Sequence, residues 1–331
     1  MRTITLEEHY ATPAFMEGPG RQIKDQAQAA HDHPLVAARI TQLIDQLCDL
    51  ADRRIADMDA AGIDMQVLSL TSPGTEQLDA TEAVTLARET NDLLADGVRR
   101  HPSRFAGFAA LPTADPTAAA AELERTIREY GFKGALINGH IRGRYLDDQF
   151  FWPILEQAEA LQVPLYLHPT PPPQAVIATS YAGNYTSEVT GILATSAWGW
   201  HIETATHVLR LILSGAFDRY PNLQLVIGHM GEALPFMLSR LDLALPTEVT
   251  KLKRPVGAYL RENLHYTFGG FNYIPTFFDL LLQVGIDRIM FSADYPYRSM
   301  EQARTFLEQL PVSPADKERI AHGNAEHLLR L

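Results

Sequence analysis

Short apolar runs recur along this chain, and longer runs with helical spacing separate them. Residues 3–6, 65–70, 105–110, 134–137, 163–167, 224–228, 264–268 and 288–292 are apolar runs without a clean polar alternation. That is the pattern of strands covered on both faces in a parallel sheet. Between them, apolar positions three and four apart predict helices over 47–61, 80–100, 116–130, 150–161, 204–214, 233–241 and 276–284, with 300–310 and 314–329 closing the chain. Gly62 and Gly131 stand where helices end, and Ser313-Pro314 where one begins. Cys48 falls in an apolar-periodic stretch and reads as packing.

Two segments lack a strong period. Residues 11–44 carry Gly18-Pro19-Gly20 and a polar stretch with His31 and His33, expected to be exposed. They read as a long excursion over a barrel mouth, with short helices. Residues 169–191 open on Pro169-Thr170-Pro171-Pro172-Pro173 and read as irregular chain, and a loop of that length in a compact domain is usually functional. Eight strands, nearly all separated by helices and without a linker, predict one (β/α)8 TIM barrel over residues 1–331, with elaborated loops on its C-terminal face. A doubly wound open sheet is the alternative. It would place a glycine-rich phosphate loop after the first strand, where Glu7-Glu8-His9 stands.

Composition narrows the function classes. Hydrophobic residues make up 46% of the 331 residues and charged ones 21%, which allows a large core. The formal charge of −12 argues against nucleic acid or an anionic membrane as partner. A single cysteine excludes an intramolecular disulfide and a cysteine zinc cluster. The first residues enter a strand directly, and no apolar run is long enough to span a membrane, so a cytoplasmic protein is expected.

Polar groups gather at the predicted strand ends, where parallel α/β folds keep their chemistry. Strand one runs into Glu7-Glu8-His9, and side chains two apart in a strand share a face, so Glu7 and His9 point one way and Glu8 the other. Strand five ends in His168, strand six in Gly228-His229-Met230-Gly231-Glu232, and strand eight in Asp294. Carboxylates and neutral imidazoles are ligands of Zn2+, Mn2+ or Fe2+. Each residue alone has a plainer reading: a packed histidine, a carboxylate paired with arginine, or, for Asp294, a helix cap. Four strand ends delivering ligand-type groups to one end of a barrel favour a metal site.

Glu-x-His on strand one, His168-Pro169, Gly228-His229-Met230-Gly231-Glu232 and Ser292-Ala293-Asp294-Tyr295-Pro296 resemble the amidohydrolase superfamily. More narrowly they resemble its aromatic-acid decarboxylases, among them the γ-resorcylate and 2,3-dihydroxybenzoate enzymes. Glu7, where many hydrolases of the superfamily have histidine, is like the hydroxybenzoate decarboxylases. The stretch 200–207, Trp-His-Ile-Glu-Thr-Ala-Thr-His, is similar to their helix before strand six. The resemblance implies one divalent ion, Zn2+ or Mn2+, on Glu7, His9, His168 and Asp294. It implies a catalytic role for His229 and Glu232, and for Arg240 a role in orienting substrate or holding Glu232, against a surface ion pair. It also implies a homodimer or homotetramer.

The implied reaction is non-oxidative decarboxylation of a small aromatic acid, an ortho-hydroxybenzoate chelated through phenolate and carboxylate, with Asp294 or His229 protonating the ring carbon. Phe15, Tyr181, Tyr185, Trp198, Trp200 and Tyr297 are candidate walls for the ring, each also readable as packing. A lactone or amide hydrolase would use the same groups with a metal-activated water. A barrel holding metal only for structure is the non-catalytic alternative. Asn324, in a motif similar to the family's C-terminus, is expected as a helix cap.

Overall fold

The computed structural model describes residues 1–29 and 34–331; His31 and His33 lie outside the described residues. Eight parallel strands form a (β/α)8 barrel. They are β1 (Ile4–Tyr10), β2 (Met65–Leu70), β3 (Phe105–Gly107, continued by Ala109–Ala110), β4 (Ala135–Asn138), β5 (Leu165–His168), β6 (Leu225–Ile227), β7 (Leu264–Thr267) and β8 (Ile289–Met290). Phe108 interrupts β3: the first piece pairs with β2 and the second with β4. The bridge between Leu6 and Ser292 closes β8 onto β1.

Strand alternation divides the core. Ile4, Leu6, Met65, Val67, Ala106, Phe108, Leu136, Tyr166, Val226 and Met290 fill the barrel interior. Residues of opposite phase, such as Leu68, Phe105, Ile137, Leu167 and Ile227, pack outward in the shell beneath the helices. Each such side chain contributes about 1.5–3 kcal/mol by leaving water. Both faces are therefore apolar, which is why the strands read as continuous runs.

The helices over Ala80–Arg100 and Pro116–Tyr130 have the expected bounds, and Asp79 and Asp115 cap their N-termini. Several expectations are corrected. The helix expected over 47–61 is divided into Pro34–Cys48 and Asp52–Ala61. Asp49 Oδ1 accepts the N–H groups of Ala51 (2.9 Å) and Arg54 (3.1 Å), which diverts them from a continuous helix. Cys48 is exposed rather than packed, because Leu47 takes the inward position at that helix end. The excursion after β1 is largely helical, with Pro13–Glu17 and Arg21–Ala29 preceding Pro34–Cys48. The segment after β5 is not simply irregular, since it contains the helix Ser187–Ala194. The helix expected from 204 begins at Gly199 and so includes Trp200 and His201. Asn324 does not cap with its side chain; it donates to the carbonyls of Ile286 and Ile289 and ties the last helix to β8.

Candidate active site

The first strand delivers its polar groups by a break in its own periodicity. Ile4 and Leu6 point inward, so strict alternation would bring Glu8 in and send Glu7 and His9 out. Between Thr5 and Glu8 the register with β2 slips by one residue, and Glu7 sits at φ 67. This bulge turns Glu7 inward. Its Oε1 lies 3.9 Å from His168 Nε2 and 3.7 Å from His229 Nδ1, and His9 Nε2 lies 3.3 Å from Asp294 Oδ1. Glu8 goes the other way. It accepts the N–H groups of Ala293 (2.8 Å) and Tyr295 (3.2 Å), the residues on either side of Asp294. Behind it the buried Arg54 donates to the His9 carbonyl at 2.7 Å. Two backbone anchors thus hold Asp294 in its left-handed conformation, φ 65.

Glu7, His9, His168 and Asp294 come together at the C-terminal mouth of the barrel. Glu7 and His9 are fully buried, yet Glu7 Oε1 and both ring nitrogens of His9 have no hydrogen-bond partner. Buried polar atoms without partners are costly, and here they have the chemistry of metal donors. Glu7 Oε2 is engaged by the Thr267 hydroxyl at 2.8 Å, which leaves Oε1 to face the cluster. His168 Nδ1 lies 3.0 Å from Asn138 Oδ1; with Nδ1 protonated, Nε2 presents a lone pair. Burial also keeps His168 well below the ordinary imidazole pKa, hence neutral. Two carboxylates and two imidazoles of this kind fit a divalent ion.

His229 and Glu232 form a neighbouring unit. Both have positive φ (52 and 54), in a tight turn that brings Glu232 Oε1 to 2.7 Å from His229 Nδ1. Burial disfavours charge on His229, but the nearby carboxylates, Glu232 first and then Glu7, outweigh it and push its pKa up to about 10. Glu232 shows the converse: burial works against ionisation, and His229 and His201 hold it below the ordinary carboxylate range. His201, His229 and Glu232 could also be read as a metal triad, since three ligand atoms lie within 4.8 Å. Their short mutual hydrogen bonds occupy the same lone pairs, whereas Glu7 Oε1 and the His9 ring nitrogens in the first cluster have no hydrogen-bond partner.

The aromatic candidates are spread more widely. Tyr297 lies edge-on to His9 at 5.5 Å, and its hydroxyl meets Thr71 Oγ1 at 2.6 Å. Trp200 reaches the site through its indole N–H, 3.0 Å from His201 Nε2. Tyr181 is buried, while Tyr185 and Trp198 are exposed. Phe15 is enclosed in the shell core, and Arg240 is exposed with no hydrogen bond or ion pair to Glu232, so neither wall nor carboxylate clamp is formed by these two as expected. Phe271, Asn138 and His201 were missed. Phe271 stacks edge-on to His201 (5.1 Å) and His229 (5.5 Å), and only the Gly269-Gly270 turn before it hinted at a site. A cavity of about 560 Å3 lies beside the cluster behind Tyr295–Glu301, lined by Arg39, Leu43, Tyr297 and Arg298, but none of the ligand-type groups faces it.

The amidohydrolase family model matches residues 29–331. The chain belongs to the amidohydrolase family. Relatives of this amidohydrolase include a γ-resorcylate decarboxylase from Polaromonas sp., 39% identical over 99% of this chain and 98% of the relative. Another γ-resorcylate decarboxylase, from Rhizobium radiobacter, is 36% identical over 99% of this chain and 98% of its own. Among solved structures, 5-carboxyvanillate decarboxylase from Novosphingobium aromaticivorans, complexed with manganese and 4-hydroxy-3-methoxy-5-nitrobenzoic acid, superposes with a TM-score of 0.90 at 37% identity, covering 100% of this chain and 96% of that one. The dihydroxybenzoic acid decarboxylase of Polaromonas sp., with manganese and the inhibitor 2-nitroresorcinol, gives 0.88 at 39% identity over 100% and 97%.

Proposed function

We infer that this amidohydrolase is a metal-dependent carboxy-lyase that removes CO2 from a small hydroxybenzoate. The full-length similarity to decarboxylases of this substrate class supports the reaction. The observation that carries the site is the set of unpartnered buried donors, Glu7 Oε1 and the His9 ring nitrogens, beside His168 and Asp294. In this reading Glu7, His9, His168 and Asp294 hold one divalent ion. Manganese is the first ion to test, and zinc fits the same donors.

When bound, the ion supplies Lewis acidity and a template for the substrate's phenolate and carboxylate. Tyr297 and Phe271 flank the ring. Asp294 takes up the proton that the substrate's phenol gives up and passes it to the ring carbon that bears the carboxylate; His229 is the second candidate donor. As that carbon–hydrogen bond forms, the bond to the carboxylate breaks, its electron pair returns to the ring, and CO2 leaves. Glu232 holds His229 by its Nδ1, which leaves Nε2 outside that bond and available for proton transfer.

We treat residues 1–331 as one domain, a reading supported by a single closed barrel. A homodimer or homotetramer is supported by Phe236, Leu243 and Leu282, 77, 74 and 83% exposed on two helices that pack together. No helix among the described residues is long and apolar enough to cross a membrane, and a cytoplasmic location belongs to the same reading. The test is incubation of manganese-loaded protein with 2,6-dihydroxybenzoate, 5-carboxyvanillate and related acids, following phenol and CO2. Turnover of lactones with no hydroxybenzoate consumed would sink the proposal.

A further inference from the structure

We propose that His201 is a positioning residue for this reaction, locking Glu232 so that His229 is held in one orientation over the substrate. The proposal rests on the decarboxylase reading for the reaction it serves, but not for its geometry. His201 lies near the start of the helix Gly199–Leu213, away from every strand end. Its Nδ1 is 2.5 Å from Glu232 Oε2, while the other oxygen, Oε1, is 2.7 Å from His229 Nδ1. One carboxylate is therefore shared by two imidazoles, whose ring centroids are 4.7 Å apart.

The tautomer of His201 follows from its other neighbour. Trp200 Nε1 lies 3.0 Å from His201 Nε2, and an indole N–H can only donate. His201 Nε2 must then carry a lone pair, and Nδ1 carries the hydrogen given to Glu232. The Ser196 carbonyl lies 3.3 Å from the same Nε2; a proton there would set two N–H groups against each other at the shorter Trp200 contact. His201 thus contributes a hydrogen-bond donor to Glu232 through Nδ1. With Oε2 taken, Glu232 can neither rotate nor turn both oxygens to His229. Its negative charge is left to face the imidazole that borders Glu7. Phe271 packs edge-on against both rings, at 5.1 Å from His201 and 5.5 Å from His229. A second metal ion on the same three side chains is the competing occupant.

The test compares manganese-loaded wild type with His201→Leu and His201→Asn. It uses kinetics on 2,6-dihydroxybenzoate and 5-carboxyvanillate, metal analysis, and the downfield imidazole N–H protons in the 1H spectrum of the same proteins loaded with diamagnetic zinc. His201→Leu should lower kcat about tenfold or more, the usual cost of losing a supporting partner. KM should change by no more than about threefold, because substrate contacts remain. The protein should keep one equivalent of metal. His201→Asn, whose amide N–H can still donate to Glu232, should recover most of the loss. Wild-type kcat in His201→Leu, no recovery in His201→Asn, or loss of a second metal equivalent would each overturn the proposal. If the wild type itself consumes no hydroxybenzoate, the decarboxylase reading fails and the spectrum decides the positioning claim. Two imidazole protons hydrogen-bonded to Glu232 are expected, with His201→Leu removing one and shifting the other. An unshifted second proton would refute the coupling.

Discussion

A β-carbon built on Gly228 would lie 2.4 Å from Oε1 of Glu7. The carboxylate thus occupies the space that a side chain on β6 would need, and Gly269 approaches its other oxygen in the same way, at 2.8 Å. Gly228→Ala should push Glu7 out of the cluster and weaken metal binding by about tenfold or more. Metal content and circular dichroism measured together check this. A folded variant with a full complement of metal would show that the contact does not matter.

His229→Asn should keep its metal and lose turnover, because Glu232 and not the ion holds His229. The expected fall in kcat is on the order of a hundredfold, the usual contribution of a positioned acid–base group. Loss of metal together with activity would move His229 into the ligand set.

Asn138 tests how His168 is aimed. Its Oδ1 lies 3.0 Å from His168 Nδ1, and its own backbone N–H donates to the buried Glu76 at 2.9 Å. Asn138→Ala should free the ring and weaken the metal by about 10- to 100-fold, while Asn138→Asp, which still accepts from Nδ1–H, should restore most of the affinity. Competition with a chelating dye measures both. Equal affinities in all three proteins would remove Asn138 from the site.

Metal binding should release protons in acid. Burial, against the opposing charge of His229, holds the Glu7 carboxyl above the ordinary carboxylate range, so an ion must displace a proton there as pH falls. His168 is already neutral and releases none in this range. Affinity should therefore rise with pH through the raised Glu7 value and then level as Glu7 becomes ionised. Calorimetry in two buffers of different ionisation enthalpy, at about pH 5.5 and 8, measures the release directly. Equal or absent release at the lower pH would contradict the assigned state of Glu7.

The sequence by itself determined the barrel and the chemistry of its mouth. Eight apolar runs between amphipathic helices leave few arrangements that cover both strand faces, and His168, His229 and Asp294 follow such runs directly. Local signals were reliable where the cause was local, as in the capped helices starting after Asp79 and Asp115. Only the tertiary structure decided which way these groups point. The bulge at Glu7 depends on how β1 registers against β2, since alternation alone would have turned Glu7 outward. The cradle for its carboxylate is formed by glycines from two other strand ends. Asn138 and His201 reach the site through hydrogen bonds to residues 30 and 31 positions away. Such bonds have no periodicity to mark them, because their geometry is set by how whole elements pack and not by neighbours along the chain.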